Sequence, residues 1–161
     1  MTETDHRLWI RNPLACSDPS AAGGIVVAGT GIVEKVAGGQ QPHQPVNETF
    51  DASEHVLLPG LVNTHHHFYQ TLTRNLPAGQ NAELFDWLVT HYPIWARLDP
   101  ESLHASSQIA AAELLLSGCT TAADHTYLWP NGASIDDQIA AVSELGLRFH
   151  ASRGSMSVGE S

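Results

Sequence analysis

The chain has 161 residues, 42% of them hydrophobic and 15% charged, a balance that suits a folded enzyme core and excludes a solvated tail. Its formal charge is −10 and its seven Lys and Arg residues are scattered, so it has no basic patch to neutralise nucleic-acid phosphates. No apolar run approaches the ~20 residues that span a bilayer, so no membrane partner is expected.

RLWIR, GGIVVAG and IVEKVAGG read as strands, the last two joined in a hairpin around Gly29 to Gly31. QQPHQPVNET carries two prolines and almost nothing to bury, and reads as a linker or long loop. These segments define a small β subdomain over residues 1–58, followed by an α/β part over residues 59–161. Strands are expected at 56–63 (VLLPGLVN), 119–125 (CTTAADH) and 147–153 (LRFHASR). Asp99 as N-cap, Pro100 and Glu101 open a helix that Gly118 closes, and the capping-box spacing of Ser134 and Asp137 opens another, stopped at Gly146. Strands alternating with helices predict parallel pairing and right-handed crossovers. The first crossover holds an extra helical segment, AELFDWLVTHYPIWARL, whose Phe85, Trp87, Tyr92 and Trp95 are expected to pack as core. The start, MTETDHR, lacks the pattern of a signal peptide, and Cys16 and Cys119 lie far apart. Both read as reduced thiols in a cytoplasmic protein.

Parallel α/β architectures bind ligands at the carboxyl ends of their strands. Here the first strand ends in Thr64 to His67, the second in Asp124 and His125, and the third in His150, Ser152 and Arg153. Side chains alternate along an extended segment, so His65 and His67 share one side and His66 faces the other. Two imidazoles spaced in this way suit one transition-metal ion. His125, His150 and Asp124 are candidates for further ligands, and each also reads as a strand-end polar group bonded to nearby backbone. No nucleophile elbow, phosphate loop or CxxC pair competes with the metal reading.

The runs FDASEHVLLPG and PGLVNTHHHFYQTLTR resemble the entry to the metal-dependent amidohydrolase superfamily. AELFDWLVTHYPIWARLDPESLH, AELLLSGCTTAADHTYLWPNG and LGLRFHASRGSMSVGES narrow the resemblance to the 8-oxoguanine deaminases and hydroxyatrazine ethylaminohydrolases. It covers the chain from Phe50 to Ser161. The resemblance implies a (β/α)8 barrel beside a small β-sandwich, with one divalent metal, zinc before iron, on the HxH pair that His65 and His67 match. It also implies a further His after the fifth strand, another after the sixth and an Asp after the eighth, all beyond this sequence, so that no catalytic group falls within the chain. Gln70 matches a purine-contacting position and also reads as a polar residue at a helix start. Arg153 resembles a substrate-side arginine and also reads as a strand-end ion pair.

The reaction implied is hydrolytic deamination of a purine-like heterocycle by metal-activated water, in a homo-oligomeric enzyme. A (β/α)8 barrel takes ~250 residues, so the chain is expected to be an N-terminal fragment, inactive alone. A triazine aminohydrolase is the alternative within the family. A non-catalytic metal-binding or assembly module is the alternative outside it.

Overall fold

The computed structural model of the chain describes residues 6–155. It divides into two compact units, Met1–Pro59 and Gly60–Ser161. The first contains strands β1 (Arg7–Arg11), β2 (Ala15–Cys16), β3 (Gly24–Ala28), β4 (Gly31–Val36), β5 (Glu48–Asp51) and β6 (Val56–Leu57). Its main sheet has the order β4-β3-β1-β5, with β1 antiparallel to β3 and parallel to β5. The β3–β4 hairpin turns through Gly29, whose φ of +54° lies in the left-handed region that glycine enters without strain. Trp9, Val26 and Val36 form the core. The proline-rich stretch contributes more than expected of a linker: Val46 packs on that core, and the chain enters β5 at Glu48. A separate two-stranded ladder pairs β2 with β6 in parallel.

The second unit is a parallel sheet in the order β7-β8-β9, built from β7 (Leu61–Asn63), β8 (Cys119–Thr126) and β9 (Arg148–Arg153). The single strand expected over 56–63 is in fact two, β6 and β7, separated by Leu58, Pro59 and Gly60. Pro59 has no N–H for a ladder, so the apolar run cannot continue through it as one strand. The helices are α1 (Leu84–Trp95), α2 (Pro100–Leu116) and α3 (Ile135–Glu144). Capping boxes join Asp99 to Ser102 and Ser134 to Asp137, and Gly118 and Gly146 follow the helix ends at φ of +84° and +72°. Among the described residues no helix is long and apolar enough to cross a membrane. Both cysteines are free thiols.

Ala110 and Ala111 of α2 and Val142 of α3 pack with Phe68, Ala122 and Leu147 against one face of the sheet. Phe68 stacks on Phe149 of β9 with ring centres 5.4 Å apart. A second cluster gathers Tyr69, Trp95, Leu98 and Leu103, with Trp87 and Tyr92 partly buried against it. Phe85 departs from the expected aromatic core, being 79% exposed. Trp87, His91 and Trp95 recur every fourth residue along the inward stripe of α1, whereas Phe85 falls with Val89 on the exposed side. Trp95→Ala is expected to cost roughly 3–5 kcal/mol in urea unfolding. Phe85→Ala should stay within about 0.5 kcal/mol of the parent.

Candidate metal centre

At the end of β7 the side-chain oxygen of Asn63 accepts the N–H of His65 at 3.1 Å, an Asx turn that leads the chain out of the strand. The segment stays beside β8 because the N–H of His125 donates to the carbonyl of His66 at 3.0 Å. In this frame the rings of His65 and His67 lie perpendicular, with centres 5.3 Å apart. The ring of His66 packs edge-on to Phe68 at 4.7 Å. Burial holds the His66 imidazole below its ordinary pKa, partly opposed by the negative charge of Asp124.

His67 Nδ1 lies 2.6 Å from the carbonyl oxygen of His125. A carbonyl can only accept, so Nδ1 carries the hydrogen and the neutral ring keeps its lone pair on Nε2. Metal-binding histidines adopt this arrangement, the second ring nitrogen being fixed by an outer acceptor. Two imidazoles on one tetrahedral ion at about 2.1 Å would have ring centres roughly 5 Å apart, which the His65–His67 separation matches. These residues fit a metal ion.

The pair opens on a concavity of about 240 Å³ lined by residues 64–67 and 123–125 and by Ser152. The ring of His125 lies 5.8 Å from that of His67. A Cβ at Gly154 would come within 2.7 Å of His125 Nε2, so the absence of a side chain there makes room for the imidazole. Asp124 also borders the concavity, but its carboxylate is buried and engaged: Oδ2 accepts from the Thr126 hydroxyl at 2.8 Å and the Gln138 amide at 2.9 Å. His150 pairs in register with Ala123, one alternation before the His125–Ser152 pair, and does not line the concavity. Among the described residues no group of three or more His, Cys, Asp or Glu side chains is arranged to hold a metal. His65 and His67 therefore stand as a pair.

Gln70 and Arg153 stand outside the lining. Gln70 lies in the 3-10 turn Phe68–Thr73, where its amide donates to the Tyr69 hydroxyl at 3.1 Å. Burial, reinforced by the neighbouring Tyr127, pushes the Tyr69 phenol pKa upward. The Arg153 guanidinium lies 6.0 Å from the centre of the Trp129 ring, and Arg153 pairs in register with Thr126 on the side of β8 that faces the helices. Sequence reasoning missed the His125 carbonyl and Gly154. The first is a backbone group that no side-chain pattern marks, and the second shows its role only once β8 and the end of β9 are side by side.

Residues 56–161 match the Amidohydrolase family. The chain belongs to that family. It is 60% identical over 159 residues to the 8-oxoguanine deaminase of Pseudomonas aeruginosa, covering 96% of this chain and 35% of that protein. It is 41% identical over 105 residues to the hydroxydechloroatrazine ethylaminohydrolase of a Pseudomonas species, covering 62% of this chain and 22% of that one. The atrazine chlorohydrolase of Arthrobacter aurescens solved in complex with zinc superposes with a TM-score of 0.80 at 26% identity, over 95% of this chain and 37% of that one. The amidohydrolase chain thus carries the N-terminal part of the composite fold and spans little more than a third of the 8-oxoguanine deaminase. In this amidohydrolase Gly154→Ala should turn the His125 ring away while leaving His67 in place. Histidine-selective NMR is expected to show a displaced His125 ring resonance beside an unmoved His67.

Proposed function

We propose that the chain is the N-terminal, metal-holding part of an amidohydrolase that deaminates a purine-like heterocycle by hydrolysis, with 8-oxoguanine as the substrate. The observation that carries this reading is the His65–His67 pair, its rings 5.3 Å apart and the Nδ1–H of His67 tied to the His125 carbonyl. The 60% identity to an 8-oxoguanine deaminase supports the choice of substrate. His65 and His67 would hold one divalent ion, zinc in preference to iron in this reading, and the zinc complex of a relative supports zinc as an occupant of such a centre. Bound there, the ion would supply Lewis acidity for the activation of water.

The roles of the protein are to orient and to exclude. His67 is locked in one tautomer by the His125 carbonyl, and His66 is turned toward Phe68. Gln70, which keeps its carbonyl oxygen after its amide nitrogen engages Tyr69, and Arg153, at the exposed end of β9, are the substrate-side positions of this reading. The proton shuttle is assigned to no residue of this chain, since the carboxylate of Asp124 is buried and already satisfied. Water and the heterocycle are the small-molecule partners, and the complete enzyme is a cytoplasmic homo-oligomer acting on neither nucleic-acid polymer nor membrane. A triazine aminohydrolase is the second reading, favoured by the 41% identity to hydroxydechloroatrazine ethylaminohydrolase.

A chimera in which this chain replaces the matching third of the Pseudomonas aeruginosa 8-oxoguanine deaminase tests both readings by loss of substrate absorbance. The chimera should turn over 8-oxoguanine faster than hydroxyatrazine, whereas the chain alone should be inactive. His65→Ala and His67→Ala should each lower turnover at least ~100-fold and reduce bound metal. Preference for hydroxyatrazine would favour the second reading, and full metal content in both variants would defeat the first.

A further inference from the structure

Asp124 is a fully buried carboxylate that accepts hydrogen bonds from neutral groups: the Phe68 N–H at 2.6 Å on Oδ1, and the Thr126 hydroxyl and Gln138 amide on Oδ2. Burying a carboxylate without a cation is costly, and Ala122, two residues earlier on the same side of β8, fills its position with a methyl group. Packing alone does not account for an acid here. What the acid supplies becomes clear at the next element. Phe68 opens the 3-10 turn Phe68–Thr73, and the first N–H groups of such a turn have no partner within it. His67 occupies the N-cap position but makes no side-chain cap. Asp124 provides the missing acceptor from a neighbouring strand.

The other end of the same residue is held as firmly. The Ser106 hydroxyl of α2 donates to the Phe68 carbonyl at 2.5 Å, and both groups are buried. The backbone just after His67 is thus fixed at its N–H by β8 and at its C=O by α2. The ring of His67 is fixed by the carbonyl of His125, the residue that follows Asp124. Backbone and ring of one histidine therefore take their positions from consecutive residues of β8.

We propose that Asp124, assisted by Ser106, is a positioning residue for His67: by holding the His67–Phe68 peptide at its N–H, while Ser106 holds the Phe68 carbonyl, it brings the imidazole to the His125 carbonyl and so selects the Nδ1–H tautomer. The clamp exists without a metal, and its use in holding one rests on the function proposed above. In Asp124→Asn one oxygen still accepts from Phe68, while Thr126 and Gln138 can reverse their hydrogen-bonding roles around the amide. In Asp124→Ala the Phe68 N–H has no acceptor.

Long-range 1H–15N spectra of the metal-free chain read the His67 tautomer directly. The parent should show a single Nδ1–H form, Asp124→Ala a mixture of tautomers, and Asp124→Asn the parent pattern again. Ser106→Ala, a milder change at the other end of Phe68, should also mix the tautomers and carries the test if Asp124→Ala does not fold. A single unshifted Nδ1–H form in whichever of the two alanine variants fold would overturn the proposal. Titration of the chimera described above with cobalt(II), followed by its visible absorption, separates this inference from the metal reading. Asp124→Ala should bind about 10–100-fold more weakly than the parent, and Asp124→Asn close to it. A parent chimera that takes up no cobalt, while the tautomers of the chain respond as described, would sink the metal reading and leave the clamp standing. Tight cobalt binding with unresponsive tautomers would do the reverse.

Discussion

The alternation of side chains along β8 is the constraint on which the rest of the second unit depends. Ala122 and Thr126 are buried away from the concavity and Asp124 is buried at its border, whereas Ala123 and the exposed His125 line it beside the histidine pair. β9 follows the same parity: Phe149, opposite Ala122, enters the core, and Ser152, opposite His125, lines the concavity. A slip of one residue would exchange the two sets and put imidazole against alanine. Core and site are thus the two faces of one strand. Burial of Phe68, Ala122 and Phe149 fixes the register that brings His125 beside His67.

Charge acts over a longer range. Much of the exposed acidity is locally paired, as where Lys35 holds the Asp18 carboxyl down to about 2, and Arg74 lowers the pKa of Glu113. Exposed pairs of this kind contribute little to stability. They leave the −10 formal charge as it is, since that net value already counts every Lys and Arg. A net negative chain attracts cations at long range, and salt screens that attraction beyond ~10 Å.

Local punctuation made much of this fold legible in the sequence. Asp99, Ser134, Asp137, Gly118 and Gly146 mark helix ends through bonds and backbone angles that depend only on near neighbours, and all five act as expected. The break at Pro59 was harder to see, because VLL and LVN form one apolar run whose halves join different ladders. Phe85 illustrates a different limit: composition marks an aromatic as core, but which stripe of α1 is covered depends on what packs beneath it. At the site, parity alone paired His65 with His67. The places of Gln70 and Arg153 depend on Tyr69 and Trp129, contacts that spacing along the chain does not reveal.

The geometry also explains why the proposed centre needs more than it contains. Two imidazoles fill two of the four positions of a tetrahedral ion, and a hydrolytic centre keeps one position for water. Among the described residues no third protein group is arranged to join the pair, so the proposed centre needs a further ligand from elsewhere. What β7 and β8 contribute is order before binding. His67 is already in the required tautomer, and His65 is already at a spacing that one ion can bridge. A ligand pair ordered by the fold has less freedom to lose when an ion arrives, so the affinity of the finished centre depends on the core beneath β8 as well as on the ligands themselves.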